Sequence, residues 1–75
     1  MATLNIEAEV TGTIWKVEVK AGQLVSEDDT LLIVESMKME IPVTAPADGR
    51  VAEVKVMEGD AVTEQQVLVI LETAA

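Results

Sequence analysis

The sequence predicts an all-β fold, a flattened antiparallel β-barrel or sandwich made of two halves related by a pseudo-twofold axis. Valine, isoleucine and threonine, whose β-branched side chains suit a pleated surface, supply 24 of the 75 residues. Glycines and prolines interrupt the chain at short intervals, which is typical of short strands joined by turns. The second half of the chain also repeats the first, and this repeat predicts the symmetry.

The repeat spans most of the chain. Residues 10–36 align without a gap on residues 47–73 at an offset of 37, and nine of the 27 positions are identical. The identities include two pairs of glycines, Gly12 with Gly49 and Gly22 with Gly59, which a chance similarity between valine-rich segments would not require. We therefore expect a single domain over residues 1–75, with repeat halves at about 10–36 and 47–73.

Each half begins with a segment in which apolar and charged residues alternate, except that one apolar residue is out of phase with the others. In residues 14–20 (IWKVEVK), Val17 alternates with charged neighbours, as in a half-buried strand. Ile14 lies three residues before Val17 and is therefore out of phase with it, and Val51 is out of phase with Val54 in the same way. We predict a bend or β-bulge at the same point in each half.

Turns and buried strands follow in both halves. Gly22 and Gly59 are expected to form turns with positive φ. Residues 31–34 (LLIV) and 67–71 (VLVIL) are apolar on both faces, so each should be a strand in the middle of the molecule.

The connection between residues 31–35 and 39–44 must be a tight hairpin, and its centre breaks a local rule. Such turns favour Asn-Gly or Asp-Gly because both central residues adopt positive φ, yet the centre here is Met37-Lys38. The pseudo-twofold places this turn at the pole opposite both chain termini. A rule broken in an otherwise orderly sequence indicates function, and the alternative is an ordinary exposed lysine in a poor turn.

Composition excludes several function classes. Without cysteine or histidine the chain offers no disulfide, no thiol catalysis and no zinc site of the usual kind. The acidic cluster Glu27-Asp28-Asp29 lacks the spacing and glycine of a calcium loop and is interpreted as a turn, so no metal site is expected. A net charge of −9 opposes binding to nucleic acid and to anionic membranes. The single aromatic residue, Trp15, pairs with Ala52 in the repeat and is predicted to fill the core.

The first ten residues show no signal-peptide pattern, and no segment approaches the roughly 20 apolar residues of a membrane span. We expect a cytoplasmic protein that does not engage a membrane.

The segment ESMKMEIP resembles the biotinyl domains of biotin-dependent carboxylases, the biotin carboxyl carrier proteins, in the biotin/lipoyl attachment family. The hallmark of that family is a Met-Lys-Met tripeptide on a hairpin, followed by proline and a later glycine. The resemblance covers essentially the whole chain, because the family fold is a pseudo-twofold flattened β-barrel. The residues that carry it are Met37, Lys38, Met39, Pro42, Pro46 and Gly49.

The resemblance implies a role for each residue around the turn. Lys38 would be the covalent attachment site for biotin, because a lysine amine is nucleophilic when neutral whereas arginine stays protonated. Met37 and Met39 would contribute to recognition by a biotin protein ligase, since unbranched thioether side chains adapt to several partners. Glu35 and Glu40 flank the turn and are candidates for partner selection, with ordinary solvated charges as the alternative.

The implied function is a carrier, with no catalytic residues of its own, that serves a biotin-dependent carboxylase. A biotin carboxylase would load the biotin and a carboxyltransferase would unload it, with acetyl-CoA the commonest acceptor in the family, as in fatty acid biosynthesis. We expect the protein to be a monomer by itself.

Some features differ from many carboxylase carriers. Ser36 stands where many of them have alanine, and neither a thumb insertion nor an alanine- and proline-rich linker is present. The chain thus resembles the free-standing, thumbless members, some of which accept lipoate as well as biotin. A lipoyl carrier is therefore the alternative, although lipoyl domains usually have Asp-Lys-Ala at the turn. A purely structural barrel of the membrane-fusion adaptor type would need long heptad-patterned helices, which the sequence lacks.

Overall fold

The computed structural model describes residues 2–73, which form eight β-strands in two four-stranded antiparallel sheets. One sheet has the order β1-β8-β6-β3 and the other has the order β5-β4-β2-β7, so the all-β, sandwich-like class is confirmed, although the sheets do not close into a continuous barrel. No helix in this range is long and apolar enough to span a bilayer. The strands are β1 (Ala2–Glu7), β2 (Gly12–Val17), β3 (Leu24–Val25), β4 (Thr30–Ser36), β5 (Met39–Thr44), β6 (Gly49–Val54), β7 (Ala61–Val62) and β8 (Val67–Thr73).

The predicted pseudo-twofold symmetry is present down to single hydrogen bonds. The two sheets have the same order of equivalent strands: β1-β8-β6-β3 in one sheet corresponds, strand by strand, to β5-β4-β2-β7 in the other. The Gly22 amide donates to the Val51 carbonyl over 2.7 Å, and the Gly59 amide donates to the Ile14 carbonyl over 2.8 Å. Both glycines have positive φ, 91° and 95°, as predicted.

Each two-residue strand pairs with a strand from the other half of the chain. β3 from the first half pairs with β6 of the second, and β7 from the second half pairs with β2 of the first. Each half therefore completes the sheet to which the other half contributes its long strands.

The predicted bulges are found in both halves. The pairing of β2 with β4 shifts register between Ile14 and Lys16, and the pairing of β6 with β8 shifts between Val51 and Glu53. The extra residue changes which face the following side chains occupy. This explains why Ile14 and Val51 are buried although each is out of phase with the next valine.

The prediction that residues 14–20 form a single strand is wrong at its end. β2 stops at Val17, and the Glu18 amide donates to the Leu31 carbonyl over 2.9 Å before the chain leaves the sheet. Val19 is nevertheless buried in the core, and the turn that follows it is joined to the other sheet by the hydrogen bond from the Gly22 amide to the Val51 carbonyl. The acidic segment 27–29 forms the next turn, as expected.

The core lies between the two sheets and is made mainly by their central strands. β4 and β8 each have neighbours on both sides, as predicted from their apolar sequences. Burial of each large aliphatic side chain contributes about 1.5–3 kcal/mol. The fully buried members from these strands are Leu31, Leu32, Val34, Leu68, Val69 and Leu71.

The prediction that Trp15 fills the core is wrong. Its side chain is 47% exposed, and its repeat partner Ala52 is exposed as well. The bulge is the reason, because it sets Trp15 beside Lys16 on the outer face of the sheet, while Ile14 supplies the buried side chain at this level.

Candidate functional site

The site is built on the hairpin between β4 and β5. Ser36 pairs with Met39, which leaves Met37 and Lys38 as a two-residue turn. Their φ angles are 50° and 66°, so both central residues lie in the left-handed region, as in a type I′ turn. The tight hairpin expected from the sequence is therefore present, with two residues that rarely occupy such a turn.

This backbone conformation is unfavourable for both residues. A left-handed conformation costs an L-residue roughly 1–2 kcal/mol, and glycine, asparagine and aspartate are the types that usually adopt it. The continuous pairing of β4 with β5 holds the turn in place. The tip of the hairpin thus carries a thioether and an amine on a backbone conformation that is energetically unfavourable for both residues.

The turn projects its side chains into solvent. Met37 is 91% exposed, Met39 is 64% exposed and Lys38 is exposed between them. Across residues 2–73 the ion pairs of basic side chains engage Lys16, Arg50 and Lys55, and Lys38 takes part in none of them. An accessible amine without a counter-ion can be reached by the active site of another enzyme.

The base of the hairpin is anchored to the start of β2. The Ser36 hydroxyl donates to the Thr11 carbonyl over 2.9 Å, and a Cβ on Gly12 would lie 2.3 Å from the Glu35 carbonyl oxygen. Sequence reasoning missed this anchor and treated Ser36 only as a departure from alanine. The signal that was available is the repeat identity of Gly12 with Gly49, which marks a position where two backbones approach closely.

Glu35 and Glu40 lie directly opposite each other on β4 and β5, immediately behind the turn. Both are exposed, and no basic side chain of the described chain pairs with either carboxylate. Like charges directly opposite on adjacent strands are destabilising. The structure thus brings the two predicted flanking residues together as a locally electronegative patch.

The residues present suit covalent attachment better than the enclosure of a ligand. Within residues 2–73 no group of three or more acidic side chains is arranged to hold a metal ion. A group joined to Lys38 Nζ would extend from the hairpin tip into solvent. The donor chemistry of the site, a lone primary amine, fits the carboxyl end of an acid that is to be bound as an amide.

Comparison with known proteins gives the family. Residues 3–73 match the model of the family described as "Biotin-requiring enzyme", the biotin/lipoyl family. The chain is 44% identical over 48 residues to the biotin/lipoyl attachment protein of Bacillus subtilis, covering 64% of this chain and 66% of that protein. It is 52% identical over 44 residues to the mitochondrial methylcrotonoyl-CoA carboxylase subunit alpha of Mus musculus, covering 59% of this chain and 6% of that subunit. The matched segments thus span from 6% to 66% of the length of these two relatives.

Solved structures agree with this comparison. The urea carboxylase of Kluyveromyces lactis superimposes with a TM-score of 0.90 at 28% identity, over 96% of this chain and 6% of that one. The lipoyl domain of the 2-oxoglutarate dehydrogenase complex of Azotobacter vinelandii superimposes with a TM-score of 0.77 at 28% identity, over 93% of this chain and 99% of that one. The fold, the exposed lysine turn and the family match agree, and the chain belongs to the biotin/lipoyl attachment domain family.

Proposed function

We propose that the chain is a biotin carboxyl carrier that is biotinylated on Lys38 and moves carboxylate from a biotin carboxylase to a carboxyltransferase. The observation that carries this proposal is the Lys38 amine, which forms no ion pair within residues 2–73 and lies on a left-handed turn between two exposed methionines. The similarity to a biotin/lipoyl attachment protein and to subunits of biotin-dependent carboxylases supports it.

Attachment requires Lys38 to act as a nucleophile. Its ammonium group loses a proton to a base of the ligase, and Nζ attacks the carbonyl carbon of biotinyl-adenylate. The carbon–nitrogen amide bond forms, the carbon–oxygen bond to the phosphate breaks, and AMP leaves. The exposure of Lys38 allows the ligase to reach Nζ without unfolding the hairpin.

The chain itself contributes position rather than chemistry. Biotin, once attached, supplies a ureido nitrogen that holds the carboxylate. The continuous pairing of β4 with β5 fixes the root of the arm at the tip of the hairpin. The partner enzymes then meet the arm at a high local concentration, which is the contribution expected of a carrier.

Finer features of the function belong to the same proposal. Acetyl-CoA is the carboxyl acceptor we favour, which would give the protein a role in fatty acid biosynthesis. We also propose that the protein acts in the cytoplasm and is a monomer by itself. The net charge of −9 supports the monomer, since it makes two copies repel each other.

The test is the intact mass of the protein purified from its native host, together with a streptavidin blot of two variants. Lys38→Arg should keep the fold and lose all biotin, because arginine remains protonated. Lys20→Arg is the matched control, since Lys20 is also exposed and outside the ion pairs of residues 2–73, and it should be biotinylated normally. Biotin on the Lys38→Arg variant would assign the site to another lysine and overturn the proposal.

Lipoate is the second candidate for the attached group. The superposition on a lipoyl domain and the name of the Bacillus subtilis relative favour it, whereas Met-Lys-Met in place of Asp-Lys-Ala favours biotin. The mass of the native protein distinguishes biotin, lipoate and a mixture of the two. A protein that stays unmodified when ligase, ATP and biotin are supplied would contradict the biotin assignment.

A further inference from the structure

An apolar row crosses the outer face of the sheet that carries the Lys38 hairpin. Ile33 of β4 pairs with Pro42 of β5 on one side and with Lys16 of β2 on the other, and the bulge sets Trp15 beside Lys16. Trp15 and Pro42 are exposed and Ile33 is half-buried. We call Trp15, Ile33 and Pro42 the Trp15 row.

The internal symmetry supplies a reference for this row. The equivalent positions on the outer face of the other sheet are Ala52, Ile70 and Asn5, with Ile70 paired to Asn5 and to Glu53 beside the second bulge. The two backbones have the same pairing and the same bulge, so folding does not require an indole at one position and a methyl group at its equivalent. At these three pairs of positions, the larger exposed apolar side chain, Trp15, lies on the sheet that carries Lys38.

The distance between the row and the turn suits a single interface. Ser36 lies three positions after Ile33 on β4, which at the rise of an extended strand is about 10 Å. A standard protein interface covers about 800 Å² of each partner, which corresponds to a disc of roughly 16 Å radius. An interface of this size that includes the Met37-Lys38 turn is large enough to extend over the Trp15 row as well.

The charges around the row select the kind of partner. The unneutralised pair Glu35 and Glu40 lies between the row and the turn. A second copy of this chain would bring like carboxylates together, and nucleic acid or anionic lipid would be repelled by the net charge of −9. The complementary surface is an apolar patch on another protein with basic side chains at its rim.

We propose that the Trp15 row is a docking surface for the biotin protein ligase that acylates Lys38, an inference that rests on the proposed function. The ligase has to bring its reacting carbonyl to Lys38 Nζ, and the lysine stem has only four carbons. The body of the ligase must therefore rest on the hairpin and on the adjoining sheet. An enzyme that acts on the ring of attached biotin works at the end of a longer arm and needs less of this surface.

The experiment measures kcat and KM of the host ligase with the purified unmodified chain as the varied substrate. Trp15→Ala should raise KM about tenfold or more, because a buried tryptophan in an interface centre is commonly among its strongest contributors. The value of kcat should change little, because the turn and the amine are intact.

Symmetry gives a matched pair of control variants. Ile33→Ser and Ile70→Ser change equivalent half-buried residues of β4 and β8 and should lower the melting temperature by similar amounts. Only Ile33→Ser should raise KM. A difference in KM at similar stability separates docking from simple loss of folding.

Three results would overturn the inference. One is an equal rise in KM for the two isoleucine variants, and another is an unchanged KM for Trp15→Ala. The third is normal biotinylation of Trp15→Ala together with a defect elsewhere. Slow carboxylation of this variant would assign the row to the carboxylase, and a Trp15-dependent dimer of the wild-type chain in sedimentation would assign it to a second copy. Failure of the wild-type chain to accept biotin would instead contradict the proposed function.

Discussion

The two residues at the hairpin tip combine an unfavourable backbone with maximal exposure. Met37 and Lys38 adopt φ of 50° and 66°, and the other described non-glycine residues with positive φ are the polar turn residues Asp28 and Gln65. Such conformations cost roughly 1–3 kcal/mol each and persist where surrounding structure enforces them. The turn is therefore less stable than an Asn-Gly turn would be, and it is the turn that carries the proposed attachment lysine.

Met37→Asn should stabilise the protein while it weakens biotinylation. Asparagine tolerates the left-handed conformation, so the free energy of unfolding should rise by about 0.5–1 kcal/mol, which in a domain of this size raises the melting temperature by a few degrees. Loss of the exposed thioether should raise the ligase KM. Thermal unfolding followed by circular dichroism, with ligase kinetics, checks both effects.

Met57→Asn is the control for this variant. Met57 is 66% exposed, and its φ is not positive. It should show no stabilisation and no change in KM. Equal melting shifts in Met37→Asn and Met57→Asn would show that the tip stores no backbone strain.

At the residue scale the sequence predicted some positions and missed others for identifiable reasons. The turn and the exposure of Lys38 followed from the repeat together with the hairpin rule. Trp15 was misplaced because a large residue aligned with small Ala52 was taken as complementary packing, whereas the two residues lie on the outer faces of different sheets. The hydrogen bond from Ser36 to Thr11 joins residues 25 positions apart, a contact that no local pattern encodes.

At the scale of strands and turns, the two pairs of matched glycines serve different purposes. Gly22 and Gly59 have φ of 91° and 95° with open space where a Cβ would point. Gly12 and Gly49 have no positive φ, but a Cβ there would lie 2.3 Å from the carbonyl oxygen of Glu35 or Glu72. One pair is needed for backbone conformation, and the other pair lets two strands approach.

Alanine substitutions should separate these two purposes. Gly22→Ala and Gly59→Ala should each cost about 1–2 kcal/mol of unfolding free energy through backbone strain alone. Gly12→Ala and Gly49→Ala should cost more, because paired backbones must move apart. Chemical denaturation of the four variants measures the costs.

The symmetry adds a second condition to this experiment. The two members of each pair should agree within experimental error, since their surroundings are equivalent. A large difference between Gly22→Ala and Gly59→Ala would contradict the equivalence of the two turns.

The strands themselves were largely predictable, because apolar periodicity and the repeat constrain each other. The matching slips at Ile14 and Val51 predicted two bulges that neither half would have established alone. The exchange of β3 and β7 between sheets was not predictable, since a two-residue strand has too few positions to show any periodicity.

At the scale of the whole molecule, the two halves share one fold but differ in their charges. The ion pair Lys16–Glu18, at 3.6 Å, and the pair Glu53–Lys55, at 3.3 Å, occupy equivalent positions with their signs exchanged. Arg50–Glu72, at 3.4 Å, has no charged equivalent, because Thr13 takes the place of the arginine. All three pairs lie between partly or largely exposed side chains, and such pairs contribute about 0–1 kcal/mol each.

Self-repulsion should therefore outweigh attraction, and salt should stabilise the protein. The chain has 14 acidic and five basic residues, and three carboxylates form ion pairs within residues 2–73, so most of the acidic side chains described are not paired with a basic one. At 0.01 M salt the Debye length is about 30 Å, comparable with the 36 Å length of the molecule, and at 0.1 M it falls to about 10 Å. The melting temperature should rise by several degrees between these conditions.

Glu40→Gln tests whether part of this repulsion comes from the carboxylates behind the Lys38 turn. Glu40 faces Glu35, so removal of its charge should raise the melting temperature at 0.01 M salt. The gain should shrink at 0.2 M, because salt already screens the repulsion that the mutation removes. Glu7→Gln, a change at another exposed strand position, is the comparison for loss of one negative charge alone. A melting temperature that falls with added salt would mean that the three ion pairs dominate the electrostatics. Repulsion between Glu35 and Glu40 would then be too weak to favour the binding of a basic partner.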